Sequence, residues 1–158
     1  MNNNIISNSI KTSLGNINKL PKGLKLVEKL GYTKALNYGA GLGYKKHMEL
    51  LGDRVELINY DINIKEINTL PAVDIDIQVV VCNNVLNVVP HDIAVEIVNT
   101  MLKYTKADIL ITVYEGDKTG VGAVNSKGCY QANKKYKDYT FLLDLGFELK
   151  SNYFILKR

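Results

Sequence analysis

The sequence predicts a single α/β domain in which a mostly parallel sheet carries helices on both faces. Segments with a strand pattern alternate with segments with a helix pattern along the chain, which is typical of parallel strands joined by crossover helices. The run 77–82 is continuously apolar and rich in β-branched residues, as expected of a central strand buried on both faces. Two further strand-like segments, 147–150 and 153–157, flank Ser151-Asn152 and predict an antiparallel hairpin at the end of the chain.

The beginning of the domain predicts a helix followed by a strand. Pro21 is suited to open a helix over 21–30, and Gly31 is suited to end it. The apolar-rich stretch 33–38 then predicts the first strand. Three apolar residues would share the buried face of the helix: Leu24, Val27 and Leu30.

After a glycine-rich turn the pattern repeats. Residues 44–51 predict a second helix, and 54–60 predict the next strand. Only 15 residues lie between Asp61 and Ile77, so this interval has room for one short helix over 62–70. The buried face of the second helix would be formed by residues at helical spacing: Tyr44, Met48 and Leu51.

The second half of the chain predicts two more helices and one more parallel strand. Residues 91–104 predict an amphipathic helix and 107–114 a strand. The stretch 115–128 is polar and rich in glycine, which favours a loop. Residues 133–145 predict a last helix, ended by Gly146. The amphipathic helix would bury Ile93, Ile97, Met101 and Tyr104.

Composition excludes several classes of protein. The 158 residues are 46% hydrophobic and 23% charged, which is ordinary for a globular domain and argues against disorder. No apolar stretch approaches the ~20 residues of a membrane span, and the polar, Asn-rich start is unlike a secretory signal. We therefore expect a flexible arm over 1–18, one domain over 19–158, no membrane partner and a cytoplasmic location.

The charge pattern is weak evidence for nucleic-acid binding. The net charge is +4, but 18 of the 20 basic residues are lysine. Arginine is the residue better suited to bidentate contacts with phosphates and bases. The segment 134–139 interleaves Lys134, Lys135 and Lys137 with Tyr136 and Tyr139, and a solvated helix face explains it as well as a phosphate-binding surface does.

Cysteine and histidine do not predict a metal site. The two cysteines, Cys82 and Cys129, form no Cys-x-x-Cys pair, and neither His47 nor His91 has a neighbour at ligand spacing. Cys82 lies inside an apolar run, which predicts a buried thiol rather than a nucleophile. His47 follows Lys45-Lys46, which favours a surface position.

The strongest chemical signal is the glycine-rich stretch 37–43. Gly39, Gly41 and Gly43 alternate with other residues directly after a predicted strand and before a predicted helix, so the backbone can turn tightly and approach a ligand. Asp61 follows Gly43 by 18 positions, at the end of the next strand. A carboxylate there can accept hydrogen bonds from both hydroxyls of a ribose. The alternative is a tight turn with an aspartate that caps a helix.

These residues resemble the class I S-adenosylmethionine-dependent methyltransferases over roughly 20–158. The stretch 35–43 resembles their first motif, Asp61 their second-strand acid, 77–89 their fourth-strand motif and 147–157 their terminal hairpin. The resemblance implies a Rossmann-like sheet and S-adenosylmethionine as cofactor. It also implies a set of cofactor-binding residues: Asn37, Tyr38, Gly39, Ala40, Gly41, Gly43, Asp61, Ile62, Asn83 and Asn84.

Within that superfamily the second half of the chain resembles a set of small phage-associated methyltransferases. The stretch 112–117 reads Thr-Val-Tyr-Glu-Gly-Asp and carries part of the resemblance. Individual positions carry the rest: Gly120, Gly122, Gly128, Gln131 and Asn133. No particular methyl acceptor is implied.

Two departures from the family pattern stand out. Asn37 occupies the position of the first-motif acid, so this side chain cannot neutralise the ammonium of the cofactor. The interval after Asp61 is too short for the usual helix, third strand and helix, which predicts that one edge unit of the sheet is reduced or missing. Asp74 or Asp76 could then reach the adenine amino group.

Residues beyond the carboxyl ends of the later strands are the candidates for catalysis and acceptor binding. Glu115, Asp117 and His91 could act as bases. The polar loop 115–133 could recognise the acceptor and close as a lid, or it could be an ordinary solvated loop. The polar and aromatic residues that could contact the acceptor are Tyr114, just before the loop, and Asn125, Tyr130, Gln131 and Asn133 within it.

Three functions are compatible with the sequence. The first is a methyltransferase acting on an N or O acceptor of a small molecule or nucleotide. The second is a methyltransferase acting on a DNA or RNA base, although residues 83–86 read Asn-Asn-Val-Leu and lack the Pro-Pro-aromatic pattern common in amino-group enzymes of that kind. The third is a non-catalytic protein that binds the cofactor or regulates a partner.

Overall fold

The computed structural model describes residues 2–12 and 17–158. The remaining positions of the predicted arm over 1–18 lie outside the described residues. In the described part, residues 2–9 form a helix that is followed by a 3-10 turn over 10–12.

The main sheet has six strands in the order β2-β1-β3-β4-β8-β7. The first four run parallel, and β8 pairs antiparallel with both β4 and β7. This arrangement confirms the predicted mostly parallel sheet with a terminal antiparallel hairpin. A separate two-stranded pair, β5-β6, lies in the predicted loop. The strands are β1 (Lys34–Tyr38), β2 (Glu56–Tyr60), β3 (Val79–Asn83), β4 (Asp108–Thr112), β5 (Ala123–Val124), β6 (Tyr130–Gln131), β7 (Glu148–Leu149) and β8 (Phe154–Leu156).

In the described ranges, five α-helices and several 3-10 turns precede or connect these strands. The α-helices are α1 (Asn2–Ser9), α2 (Lys22–Lys29), α3 (Tyr44–Leu51), α4 (His91–Leu102) and α5 (Thr140–Asp144). The 3-10 turns between the strands are Gly52–Arg54, Lys65–Ile67, Leu86–Val88 and Tyr136–Asp138.

Alternate residues of β3 enter two hydrophobic clusters, one on each face of the sheet. Val80 and Cys82 belong to the cluster that contains α4 and α5, whereas Val79 and Val81 belong to the cluster that contains α2. All four side chains are completely buried. The continuous apolar run therefore reports a central strand covered on both faces, as predicted.

The predicted helix over 133–145 is wrong in its first half. Asn133 has a left-handed backbone with φ 57°, and Lys135 is extended, so no helix can begin there. A 3-10 turn at Tyr136–Asp138 takes its place, with the Asp138 carboxylate accepting the Lys135 N–H at 3.2 Å. Within 133–145, the regular α-helix is limited to α5.

The predicted buried face of α3 is right for Leu51 and wrong for Met48. Met48 is 42% exposed, whereas His47 and Leu51 are buried one turn apart. Leu51 packs into the cluster with Leu24 and Val27, which turns the neighbouring Met48 toward solvent. His47, which was expected at the surface, is buried because it lies on the same side of α3 as Leu51.

The interval between β2 and β3 contains no strand. All residues of 61–78 are described, and the stretch holds only the 3-10 turn Lys65–Ile67 instead of the short helix expected over 62–70. The Tyr104 hydroxyl donates to the Pro71 carbonyl at 2.7 Å and fastens this link to the end of α4. β2 is therefore an edge strand, which confirms the prediction that one edge unit is missing.

The glycine-rich turn after β1 requires glycine for two separate reasons. Gly39 and Gly41 have φ values of 74° and 75°, a region that other residues enter at a cost. A Cβ on Gly39 would also lie 2.4 Å from Val85 Cγ2. The N–H groups of Gly39 and Ala40 both donate to the Tyr60 carbonyl, at 2.7 and 2.9 Å, which ties the turn to the end of β2.

Gly39→Ala is expected to destabilise the protein by about 2–4 kcal/mol, because backbone strain and overpacking against Val85 add. Gly31→Ala is the matched control: φ is +87° there, but nothing lies within 4 Å of the added Cβ. We expect the control to lose only about 1 kcal/mol. Urea unfolding of both variants measures the difference, and equal losses would contradict the close approach of Val85.

Asp108, at the start of β4, fastens the end of the chain. Its carboxylate accepts hydrogen bonds from Lys157 Nζ at 2.7 Å, from the Tyr32 hydroxyl at 2.6 Å and from the Arg158 N–H at 2.8 Å. Burial alone would raise the pKa of Asp108, but these hydrogen bonds outweigh burial and lower its pKa from the ordinary 3.8. The ionised carboxylate therefore stabilises the folded state.

Asp108→Asn is expected to reduce the free energy of unfolding by about 1.5 kcal/mol at pH 7, since charged hydrogen bonds become neutral or are lost. A depressed folded-state pKa contributes stability that is complete above the unfolded value of 3.8 and disappears as the pH falls through the lower folded value. The difference between variant and wild type should thus shrink below about pH 4. Chemical unfolding at pH 7, 4 and 2.5 measures it, and a difference independent of pH would contradict this role.

Candidate functional site

A cavity of about 580 Å³ opens beyond the carboxyl ends of β1, β2 and β3. Its size is that of a small-molecule site, and its place is where ligands bind in open α/β sheets. Nine of the residues predicted to hold a cofactor line it: Asn37, Tyr38, Gly39, Ala40, Gly41, Asp61, Ile62, Asn83 and Asn84. Gly43 is outside the lining and precedes α3, where an added Cβ would meet the His47 ring at 2.8 Å.

The carboxylate of Asp61 joins the glycine turn to the end of β2. Asp61 is 6% exposed, and its two oxygens accept the N–H groups of Gly41 and Asn63, each at 2.9 Å. An ionised carboxylate has about four lone-pair sites. Two hydroxyl donors can therefore still bind at Asp61 from the cavity.

Asn37 is held in a pair of buried amides. It is 3% exposed and lies opposite Asn59 in the parallel pairing of β1 and β2. Its Nδ2 donates to Asn59 Oδ1 at 3.0 Å. The neutral side chain at the first-motif position is thus fixed by a neutral neighbour, so Asn37 and Asn59 add no charge to the cavity.

Asn83 has a structural task besides lining the cavity. Its Oδ1 accepts the Gly23 N–H at 2.7 Å and the Thr112 hydroxyl at 2.6 Å. These two bonds tie the end of β3 to the start of α2 and to the end of β4. Asn84 follows with φ 55° and donates its N–H to the Thr112 carbonyl at 2.9 Å, which directs the chain into the cavity wall.

The three predicted bases do not line the cavity. Glu115 accepts the Tyr136 N–H at 2.8 Å and pairs with Lys118 at 3.8 Å. Asp117 is exposed and accepts the N–H and the hydroxyl of Thr119. His91 is exposed and contacts Phe141 edge-on. Their catalytic roles stay predictions.

Sequence reasoning missed most of the residues that complete the cavity. His47 and Tyr60 join the wall at the cofactor side, and α4 contributes Ile93, Glu96 and Ile97. Asp74 and Asp76, which were expected near adenine, are exposed and do not line it. A helical repeat of apolar residues would have indicated the N-terminal contribution, since Ile6 and Ile10 are one turn apart.

The N-terminal helix covers part of the cavity. Ile6, Ser9, Ile10 and Thr12 line it. Asn63 Nδ2 donates to the Ile6 carbonyl at 2.9 Å on one side of the helix.

On the other side, the helix contacts the turn between β5 and β6. The Cys129 thiol donates to the Asn8 carbonyl at 3.4 Å, and Lys11 Nζ donates to the Lys127 carbonyl at 3.4 Å. The described part of the N-terminal segment therefore bridges the end of β2 and the β5-β6 pair.

Burial holds several ionisable groups near the cavity in their neutral forms. Burial is the main cause that raises the pKa values of Tyr38 and Tyr60, whose rings lie 4.9 Å apart. Cys82 is completely buried, as predicted, and burial raises the pKa of its thiol to about 12. Tyr38 and Tyr60 can donate hydrogen bonds at neutral pH but do not supply an anion.

Across residues 2–12 and 17–158, no three His, Cys, Asp or Glu side chains are grouped so that they could hold a metal ion. Within the same ranges, every helix is too short or too polar to cross a membrane.

Comparison with known proteins finds similarity at the level of structure. No family model and no curated protein sequence matches the chain. Among solved structures, the chain is similar to DhpI in its complex with S-adenosylhomocysteine (SAH), with a TM-score of 0.54. The match covers 98% of this chain and 96% of that chain at 11% identity. A likeness at that identity establishes the fold alone.

Asn63→Ala is expected to loosen the N-terminal helix, because it removes the hydrogen bond to the Ile6 carbonyl. Trypsin should then cleave after Lys11 or Lys19 several times faster than in the wild type. Asn68→Ala, at an exposed position five residues further on, is the control and should leave the rate unchanged. Mass spectrometry of timed digests measures the rate, and equal rates in all three proteins would contradict this anchoring.

Proposed function

We propose that the protein is an S-adenosylmethionine-dependent methyltransferase that transfers a methyl group to an N or O acceptor on a small molecule or nucleotide. One observation carries the proposal. A single cavity combines the glycine turn and Asp61 with polar side chains that follow β3 and β4. Cofactor and acceptor would therefore share one enclosed space, as methyl transfer requires.

The residues at one side of the cavity suit the cofactor. Gly39 and Gly41 present bare backbone, and Asp61 keeps lone pairs for the ribose hydroxyls. Ile62 lines the cavity with an apolar side chain that is 58% exposed, so a bound adenine would remove it from water. DhpI, the similar structure, was solved with SAH.

Asn37 removes a negative charge from the cofactor site but leaves a hydrogen-bonding group there. An amide oxygen can accept a hydrogen bond from an ammonium group, but an amide supplies no charge to neutralise it. The Asp61 carboxylate is the charge available at this side of the cavity. We infer that the ribose contributes more to affinity here than the amino-acid part of the cofactor does.

The cofactor supplies an activated methyl group when it is bound. The acceptor lone pair forms the new bond to the methyl carbon as the carbon–sulfur bond breaks, the bond pair stays on sulfur, and the acceptor proton passes to a base or to water. This chain holds the two molecules in position and limits access of water, with α1 over part of the cavity. Positioning of this kind accounts for a large share of rate enhancement in group transfer.

Ligand-dependent stability tests the cofactor. S-adenosylmethionine or SAH at 100 times its dissociation constant should add about 2.7 kcal/mol to the free energy of unfolding. NAD at the same concentration should add nothing. Asp61→Asn, which loses the carboxylate, should bind at least tenfold more weakly, so that the gain falls to about 1.4 kcal/mol.

Asp53→Asn is the matched control, since Asp53 is an exposed aspartate outside the cavity. It should keep the full gain. Thermal and urea unfolding with and without ligand measure each value. Absence of a gain in the wild type would contradict the proposed cofactor and would favour a non-catalytic role with a protein partner.

A further inference from the structure

Asn87 presents an unused hydrogen-bond acceptor at the cavity. The side chain is 2% exposed and lines the cavity after β3. Its Oδ1 is buried and makes no hydrogen bond within the described part of the chain. A buried acceptor without a partner costs about 1–3 kcal/mol, so its retention calls for a reason.

Neighbouring groups fix which end of the Asn87 amide is unused. Gln131 Nε2 donates to the Tyr114 carbonyl at 3.1 Å, which leaves Gln131 Oε1 to face Asn87. Asn87 Nδ2 donates to that oxygen at 3.3 Å. If the Asn87 amide were turned over, two oxygens would face each other. The unused atom is therefore the oxygen, so a ligand group that reaches it must be a donor.

The backbone holds this arrangement in place. The Ala132 N–H donates to the Asn87 carbonyl at 2.8 Å, which joins the 3-10 turn Leu86–Val88 to the residue after β6. Asn87 is thus held through its own carbonyl, and Gln131 through its side-chain bond to the Tyr114 carbonyl. A site of this kind can discriminate between ligand groups, since its acceptor cannot rotate away.

The charge and shape of the cavity narrow the ligand further. None of the described residues that line it is Lys or Arg, so the lining gives an anionic acceptor neither a lysine nor an arginine to pair with. Tyr114, whose carbonyl ends the chain of amide bonds, also lines the cavity and is 62% exposed. An exposed aromatic ring at a cavity offers a stacking surface for a flat ring.

We propose that Asn87 Oδ1 binds an N–H of the methyl acceptor, and that the acceptor is a neutral, planar heterocycle with an exocyclic amine, of the nucleobase type. The inference rests on the proposed function and adds the class of acceptor. An amine conjugated to a ring only donates hydrogen bonds, which matches a position where the protein only accepts. Tyr114 stacks on the ring, and Gln131 is a positioning residue that keeps the Asn87 oxygen toward it.

Matched nucleosides test the proposal. The SAH-saturated protein is titrated by calorimetry with cytidine and with the pyrimidin-2-one riboside that lacks only the amine. Adenosine and purine riboside form a second pair. We expect each amine to bind at least tenfold more tightly than its partner. Cytidine is also titrated without SAH, so that the amine preference is measured even if the cofactor proposal fails.

Three variants separate recognition from structure. Asn87→Leu should bring the two affinities of each pair within twofold of each other. Gln131→Leu should reduce the preference in the same direction, because the Asn87 amide is then free to rotate. Asn99→Leu, an exposed site on α4 outside the cavity, should keep the full preference. SAH must stabilise all three variants as it stabilises the wild type, which shows that their folds are intact.

The results overturn the proposal in a defined way. If SAH binds but the wild type does not distinguish amines from their deaminated partners, the acceptor class is wrong while the cofactor proposal stands. If Asn87→Leu lowers stability but keeps the preference, Asn87 is merely structural and the proposal fails. Short single-stranded oligonucleotides are titrated in parallel. Preference for the free nucleoside or for the oligonucleotide supports the same ring chemistry and identifies its source.

Discussion

The carboxylate of Asp61 is the group on which the arrangement of the site depends. It accepts one N–H from the glycine turn and one from the link that follows β2. The glycine turn leads into α3, and Asn63 of the link also holds α1 through the Ile6 carbonyl. A single buried charge thus joins the first two strands, the turn and the N-terminal helix. Its desolvation is offset by backbone donors, and an ionised carboxylate keeps lone pairs for further donors from the cavity that Asp61 lines.

The missing edge unit of the sheet shapes the same cavity. Without a strand beyond β2, the link 61–78 runs as an irregular segment fastened by Tyr104 to α4. α4 contributes Ile93 and Ile97 to the cavity wall. These apolar side chains would face solvent without another cover. The N-terminal helix supplies part of that cover through Ile6, which packs against the same hydrophobic cluster.

The elements that local physics determines could be predicted from the sequence. The parallel strands were found because β-branched runs such as 79–81 suit a buried strand and little else. The glycine turn was found because its alternating glycines follow one strand and precede a helix. By contrast, the segment 133–145 has helical periodicity, but its first half does not form a helix. Asn133 has a left-handed backbone, and the Asp138 carboxylate accepts the Lys135 N–H instead.

Some of the side chains that line the cavity can be predicted from the sequence, and others cannot. Residues next to the turn, such as Asp61, follow from spacing along the chain. Asn87 and His47 do not, because their burial depends on contacts with elements distant in sequence: Ala132 bonds to the backbone of one, and the rotation of α3 set by Leu51 buries the other. A single sequence carries no record of such contacts. The three carboxyl and imidazole bases were chosen on chemistry alone, and their hydrogen bonds and ring contacts lie elsewhere.

Neutral amide side chains hold the walls of this site together through hydrogen bonds, a task that charged groups perform in many other sites. Asn37 pairs with Asn59, Asn83 ties three elements together, and Asn87 pairs with Gln131. An amide both donates and accepts, so each bond in such a chain determines which atom the next residue presents. The backbone carbonyl of Tyr114 begins one chain of hydrogen bonds, and the chain ends at the Asn87 oxygen, which no described group pairs with. The polarity of a buried site can therefore be set from the main chain outward, with Asp61 left as the charge that the cofactor side requires.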